Sequence, residues 1–262
     1  MRDLPTLAAS LLPVIADAAA AIMRIYDGGF SVTHKADDSP LTLADLESQR
    51  TLAAGLARLT PGVPILSEES AHAPWSERRH WDESWVVDPL DGTREFVKRN
   101  GEFTINVALV QAHEPVLGIV AAPALDLVYW GAAGTGAYRL RRDEPATVIH
   151  VARPHDPLRI VGSRSHPSPA TDVYLRGLAR RETTAIGSSL KFCLVAEGAA
   201  DLYPRFGPTS EWDTAAGQAV LEAAGGHVTR LDGHRLRYNC RESLLNGDFI
   251  AYGDAAALPP AG

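Results

Sequence analysis

Cysteine is scarce in this sequence, because its 262 residues include only Cys193 and Cys240. The two lie far apart, and neither belongs to a CxxC pair or to a Cys/His spacing, which argues against a disulfide framework or a zinc site. This cysteine usage is typical of a reducing compartment, so we expect a cytoplasmic protein.

The chain also lacks an excess of positive charge, since 25 Lys and Arg residues face 32 Asp and Glu residues, a net charge of −7. A general nucleic-acid binder needs a basic surface to neutralise phosphates, so we expect no nucleic-acid partner.

Long uncharged apolar runs are equally rare. The most apolar stretch, residues 4–25, contains Asp17 and places its leucines and isoleucines at helical spacing. This pattern predicts an amphipathic helix packed on the body of the protein rather than a signal peptide. No other stretch reaches the roughly 20 uncharged apolar residues of a membrane span, so we expect no integral membrane segment.

The periodicity of the chain changes along its length. Helices are predicted over residues 4–26, 43–59, 168–180, 188–198 and 213–224. Short β-rich runs fill residues 63–140, and strands alternate with helices after the charged stretch 141–145. We therefore predict an α/β (α+β) protein of two layered units, residues 1–145 and 146–262, with a cleft between them.

Acidic residues follow several predicted strands. In the segment 85–93, a strand ends at Asp88, Pro89 turns the chain so that Asp91 lies near Asp88, and a helix is predicted from Thr93. Carboxylates hold hard cations, and the N–H groups at a helix start bind phosphate. Read alone, the segment is equally compatible with an ordinary Asp-Gly turn.

Three more acids occupy comparable places. Glu68 follows the predicted strand 63–66, Asp213 opens a predicted helix, and Asp45 lies in the first turn of another. Each has a simpler alternative, which is a solvated loop for Glu68 and helix capping for Asp213 and Asp45.

The acidic segments together resemble the signature elements of the inositol monophosphatase superfamily. The matching elements are Glu68-Glu69, Asp88-Pro-Leu-Asp91-Gly-Thr93 and Trp212-Asp213-Thr-Ala-Ala-Gly217. They occur in the order and at the approximate separations of that family, and the resemblance extends along almost the whole chain. It implies a layered αβαβα sandwich of the sugar-phosphatase type, with the active site in the cleft.

The resemblance also implies a Mg²⁺-dependent phosphomonoesterase that holds two or three ions. One ion takes Glu68, Asp88 and the Leu90 carbonyl, and a second is held by Asp88, Asp91 and Asp213. A third, weaker ion takes Glu68 and waters. Mg²⁺ prefers oxygen ligands and retains waters, so a few carboxylates and a substrate phosphate complete its shell.

The same resemblance assigns the catalytic residues Asp45, Thr93 and Glu68. Equivalents of Thr93 and Asp45 polarise the attacking water in this family, and the backbone N–H groups of Gly92 and Thr93 hold the phosphate. The resemblance implies no covalent phosphoenzyme, and neither cysteine lies in a motif that would make it a candidate nucleophile.

The surroundings of the acids are similar to those of CysQ-type bisphosphate nucleotidases of bacteria. The similar segments are 88–110, 163–166, 187–192 and 201–213. They imply a phosphorylated nucleotide substrate, 3′-phosphoadenosine 5′-phosphate, which is hydrolysed to AMP and phosphate.

Substrate contacts are expected from both units. Ser188, Lys191 and Arg205 are candidates for the 5′-phosphate, and Ser163 and His166 for the nucleoside. Solvated surface charges remain an alternative for Lys191 and Arg205, as a loop histidine does for His166. The expected contacts on the metal side are Leu90, Asp91, Gly92, Thr93 and Asp213.

Two other functions remain open. One is an inositol monophosphatase or fructose-1,6-bisphosphatase with the same metals, and the other is a non-catalytic cation-binding protein. The retention of Asp45 and Thr93 argues against the second, because a structural cation site has no use for them. The resemblance also implies lithium sensitivity, and it leaves a monomer and a homodimer equally open.

Overall fold

The structure is a computed structural model that describes residues 2–29, 31–34, 40–165, 168–178 and 180–259. The helices in these ranges are α1 (Leu4–Gly28), α2 (Leu43–Leu59), α3 (Trp75–Arg78), α4 (Thr93–Val97), α5 (Pro169–Arg176), α6 (Leu190–Ala196) and α7 (Ala215–Ala223). Both N-terminal helices begin at the residues that the sequence pattern predicts.

Strands form a large sheet, a small sheet and a hairpin. The large sheet contains β3 (Ile65–Ser67), β4 (Glu83–Asp91), β5 (Thr104–Gln111), β6 (Glu114–Ala122), β7 (Leu127–Ala132), β8 (Gly136–Arg141) and β9 (Thr147–Ile149), in that order. The small sheet has the order β11 (Arg181–Ile186), β10 (Leu158–Ser163), β12 (Leu202–Arg205), β14 (Phe249–Tyr252) and β13 (His227–Arg230). The hairpin pairs β1 (Val32–His34) with β2 (Pro40–Thr42).

The two sheets are stacked in a sandwich of five layers. Helices α1 and α2 pack on one face of the large sheet, and α6 and α7 lie between its other face and the small sheet. The outer face of the small sheet packs against α5. Side chains alternate between the two faces of the large sheet along β4. Trp85 and Val87 point into the core that contains α1 and α2, and Val86 points into the core that contains α6 and α7. The predicted αβαβα sandwich is confirmed.

Helix α1 has the length and apolar composition of a membrane-crossing helix, alone among the helices of the described residues. In the structure it contacts α2 and the large sheet, and its buried residues are Ala8, Leu11, Val14, Ile15, Ala18, Ala21 and Ile22. These contacts are those of a core helix.

Close approach of α7 to the large sheet depends on glycine. A Cβ at Gly118 in β6 would lie 2.4 Å from the Ala216 carbonyl oxygen, and one at Gly131 in β7 would lie 2.8 Å from the Ala223 Cβ. Because α7 follows Asp213, this packing brings an acid from the C-terminal half towards β4.

Several elements differ from the prediction. Strand β12 was not predicted. It contains Pro204, which lies opposite Ile250 of β14, while its pairing with β10 is limited to Ile160 and Leu202. Asp213 ends a short 3₁₀ turn, Glu211–Asp213, rather than opening an α-helix. The division at residue 145 stays a prediction, and β9 beyond it still pairs with β8.

Candidate active site

Three carboxylates from distant segments meet at the end of the large sheet. Glu68 follows β3, Asp88 lies in β4, and Asp213 belongs to the 3₁₀ turn before α7. One carboxylate oxygen from each lies within 4.8 Å of the others. The structure therefore brings together three of the acids that the sequence singled out.

A local irregularity in β4 places Asp88 and Asp91 at the same edge. The pairing of β4 with β5 shifts register between these two residues, because Asp88 lies opposite Asn106 and Asp91 opposite Thr104. The Leu90 N–H donates to Asp88 Oδ1 at 3.0 Å, which tightens the turn. The Asp-Pro-Leu-Asp segment is thus both a turn and part of an acidic site.

Asp91 is held by residues that the sequence analysis missed. Its Oδ2 lies 3.1 Å from Ser189 Oγ, 3.4 Å from Asn106 Nδ2 and 3.5 Å from Thr104 Oγ1. Ser189 Oγ also lies 2.8 Å from the Asp213 carbonyl oxygen, so one buried hydroxyl links the two halves. Alternation along β5 was the available signal, since Thr104 and Asn106 share a face.

Ionisation of the acidic cluster is disfavoured. Burial, followed by the charges of Glu68, Asp91 and Asp213, raises the pKa of Asp88 well above its usual value. Burial and then Asp91 raise the pKa of Asp213 to about 8, and burial raises the pKa of Asp91. Hard oxygen donors that repel one another fit a divalent cation, which would restore their charged forms.

Asp45 combines a capping role with a contact to Thr93. Its Oδ2 accepts hydrogen bonds from the Thr42 N–H at 2.8 Å and the Thr42 hydroxyl at 2.6 Å, as in a capping box. Its Oδ1 lies 3.3 Å from the Thr93 hydroxyl. Capping is therefore present, and it leaves the other oxygen directed at Thr93.

A cavity of about 680 Å³ opens beside the acids. The predicted site residues that line it are Asp91, Gly92, Thr93, Ser163, Ser188, Lys191, Arg205 and Asp213. The other predicted site residues that the structure describes do not line the cavity. Asp45 and Leu90 lie next to Thr93, and Glu68 and Asp88 lie next to Asp213. His166 lies outside the described residues.

The cavity has cationic and aromatic walls. Lys191 is buried, donates to the Ser188 carbonyl oxygen and lies over the Tyr203 ring, 5.4 Å from its centroid. Burial lowers the pKa of Lys191 to about 8. A solvated surface charge therefore does not describe Lys191. Further lining residues that the sequence analysis did not name include Glu95, Ser165 and Phe206.

Comparison with known proteins agrees with this geometry. The model of the inositol monophosphatase family matches residues 3–257. The chain is 51% identical over 231 residues to the 3′(2′),5′-bisphosphate nucleotidase CysQ of Salmonella typhimurium, covering 87% of this chain and 92% of that protein. The CysQ of Escherichia coli (strain K12) gives the same identity and coverage.

Solved structures show the same fold. The crystal structure of CysQ from Bacteroides thetaiotaomicron, a bacterial member of the inositol monophosphatase family, superposes with a TM-score of 0.83 at 40% identity. The match covers 96% of this chain and 98% of that one. An inositol monophosphatase from Anabaena gives a TM-score of 0.76 at 26% identity, covering 98% of this chain and 94% of that one. The resemblance inferred from the acidic segments is confirmed.

Proposed function

Because this chain belongs to the inositol monophosphatase family, we propose that it hydrolyses the 3′-phosphate of 3′-phosphoadenosine 5′-phosphate, giving AMP and phosphate, in the cytoplasm. The observation that carries this proposal is one cavity whose wall combines acidic and cationic side chains. Asp91 and Asp213 of the acidic site line it together with the buried Lys191 and the half-buried Arg205. A ligand with two phosphates matches that wall, since the carboxylates suit a metal-held phosphate and the cations suit a second phosphate.

Mg²⁺, as two or three ions, is the metal that we assign to the acids. Glu68, Asp88, Asp91 and Asp213 would hold it, together with the Leu90 carbonyl oxygen. When bound, the metal neutralises the phosphate and lowers the pKa of water. Ser189 and its neighbours keep Asp91 oriented before any cation arrives. We further expect Li⁺ to inhibit by competing at this oxygen site.

Thr93 and Asp45 act on the attacking water. Asp45 Oδ2 accepts hydrogen bonds from Thr42, and Asp45 Oδ1 lies 3.3 Å from the Thr93 hydroxyl, whose proton it can accept. The lone pairs of Thr93 Oγ1 can then accept a hydrogen bond from water. The water would donate a hydrogen bond to Thr93 Oγ1 while the Thr93 hydroxyl donates its own to Asp45. This partial proton transfer away from the water makes its oxygen more nucleophilic.

The rest of the substrate would lie along the cavity. Gly92, at φ 86°, immediately precedes α4, and its N–H and that of Thr93 would hold the phosphate to be cleaved. Ser188 Oγ is buried and has no hydrogen-bond partner among the described residues, so it is available to the 5′-phosphate together with Lys191 and Arg205. Ser163, at the end of β10, remains our candidate for the nucleoside. The cavity of about 680 Å³ has the size of a nucleotide pocket.

The test is a comparison of phosphate release from 3′-phosphoadenosine 5′-phosphate, inositol 1-phosphate and fructose 1,6-bisphosphate in Mg²⁺. We expect the nucleotide to give the highest kcat/KM, and Asp88→Asn to abolish the reaction. Asp82→Asn, at an exposed position just before the same strand, is the matched control and should retain it. Preference for either sugar phosphate would overturn the substrate assignment, and inactivity of folded, Mg²⁺-loaded protein would overturn the catalytic one.

A further inference from the structure

Glu102, just before β5, is bound by residues of the C-terminal half. Its carboxylate forms a two-point ion pair with Arg164, with Nε 2.7 Å from Oε2 and Nη2 2.7 Å from Oε1. The backbone N–H of Gly187 donates to the same Oε2 at 2.8 Å. Arg164 Nη2 also donates to the Ala185 carbonyl oxygen at 2.6 Å. One carboxylate thus joins the ends of β10 and β11 to the large sheet.

Glu95 reinforces this junction from α4. It is buried, and its Oε1 accepts a hydrogen bond from Ser165 Oγ. A Cβ at Gly187 would lie 2.7 Å from Glu95 Cγ and 2.7 Å from the Glu102 carbonyl oxygen, so Gly187 is packed directly between the two glutamates. We call Glu95, Glu102, Arg164 and Ser165 the latch.

The turn that the latch holds carries part of the cavity wall. Ser188 follows Gly187 and adopts a left-handed conformation, φ 46°, which is unfavourable for a residue with a side chain unless its surroundings hold it. Its carbonyl oxygen accepts the hydrogen bond from Lys191 Nζ. The placement of both the Ser188 hydroxyl and the Lys191 ammonium group therefore depends on this turn.

We propose that Glu102 is a positioning residue that makes the site selective for substrates with a second phosphate. Through the Gly187 N–H and Arg164, it fixes the turn that carries Ser188 and Lys191, the residues that we assign to the 5′-phosphate. This inference rests on the proposed function.

The experiment compares KM and kcat for adenosine 3′,5′-bisphosphate and adenosine 3′-monophosphate, which lacks the 5′-phosphate. Glu102→Ala removes all three hydrogen bonds to the carboxylate. Glu83→Ala is the matched control, because Glu83 also binds an arginine at two points, Arg2 at 2.7 and 2.6 Å, and accepts a third bond from Gln111 at 2.7 Å. Glu83 lies at the opposite end of β4 from the acids.

For Glu102→Ala we expect KM for the bisphosphate to rise roughly tenfold, because the turn that carries Ser188 and Lys191 loses its hydrogen bonds to a charged group. KM for the monophosphate and both kcat values should change less than about twofold, because no metal ligand is replaced and Ser189 keeps its own bonds to Asp91 and Asp213. Glu102→Gln keeps an acceptor for the Gly187 N–H but loses the charge that binds Arg164, so KM for the bisphosphate should rise by less, roughly threefold. Glu83→Ala should leave both KM values unchanged.

An equal rise of both KM values in Glu102→Ala, or a fall in thermal stability with no change in KM, would overturn the inference and leave the proposed function standing. If Glu102→Ala does not fold, Glu102→Gln decides, since a rise in KM confined to the bisphosphate supports the inference, and an equal rise of both KM values or no rise contradicts it. Preference of the wild-type protein for inositol 1-phosphate would overturn both proposals together.

Discussion

Replacing Ser189 by alanine tests whether buried neighbours prepare the acidic cluster for its cation. The Ser189 hydroxyl lies 3.1 Å from Asp91 Oδ2, 2.8 Å from the Asp213 carbonyl oxygen and 2.9 Å from Asn106 Nδ2. Without it, the hydrogen bonds that the described part of the chain still offers to Asp91 are those of Asn106 at 3.4 Å and Thr104 at 3.5 Å. The ionised form of Asp91 therefore loses its shortest hydrogen bond.

The expected effect falls on metal affinity. A hydrogen bond to a charged group contributes about 1.5–3 kcal/mol, and each 1.4 kcal/mol or so is a factor of ten in an equilibrium constant. Since the cation binds ionised Asp91, the half-saturating Mg²⁺ concentration for Ser189→Ala should rise roughly ten- to hundredfold. Initial rates measured against Mg²⁺ concentration at saturating substrate give this value directly.

Thr60→Val provides the control. The buried Thr60 hydroxyl accepts a hydrogen bond from Trp85 Nε1 at 2.8 Å and donates to the Leu56 carbonyl oxygen at 3.0 Å, on the α2 side of the large sheet. Its loss should lower stability by about 1–2 kcal/mol and leave Mg²⁺ dependence unchanged. If Ser189→Ala loses stability like the control but keeps the wild-type Mg²⁺ dependence, Ser189 supports only the fold and the reasoning is refuted.

Three further predictions concern packing and pH. Gly217→Ala should destabilise the protein by about 1–3 kcal/mol in thermal unfolding, because the new Cβ would lie 2.5 Å from the Phe192 ring; Gly247→Ala, with nothing within 4 Å, should not. Above pH 8, kcat/KM for the bisphosphate should fall in the wild-type protein as Lys191, whose pKa burial lowers to about 8, loses its proton. Lys191→Arg should abolish that fall, and an unchanged profile would contradict the role of the ammonium group. Without metal, stability should decrease from about pH 4 to pH 8: burial and Asp91 raise the pKa of Asp213 to about 8, so the folded state binds more protons than the unfolded state in this window. Added Mg²⁺ should remove the decrease, and metal-free protein that is more stable at pH 8 than at pH 5 would refute this account.

Much of the molecule was predictable from local sequence. Helix α2 begins at the predicted Leu43, and β14 matches the predicted residues Phe249–Tyr252. Acids at strand ends were also visible, because a strand that stops at a charged residue brings it out of the core whatever the rest of the chain does. These are properties of periodicity and of short segments, and the motif comparison added the family and the αβαβα sandwich.

The partners of these acids depended on packing between distant segments. No spacing in the sequence shows that Ser189 reaches Asp91, or that Glu102 binds Arg164 and the Gly187 N–H. Such contacts form only because α6 and α7 are held between two sheets, with glycines where α7 touches the larger one. Sequence therefore determined the family and which acids the chain carries, whereas tertiary structure decided which side chains orient them, because hydrogen-bond partners are set by position in space rather than by separation along the chain.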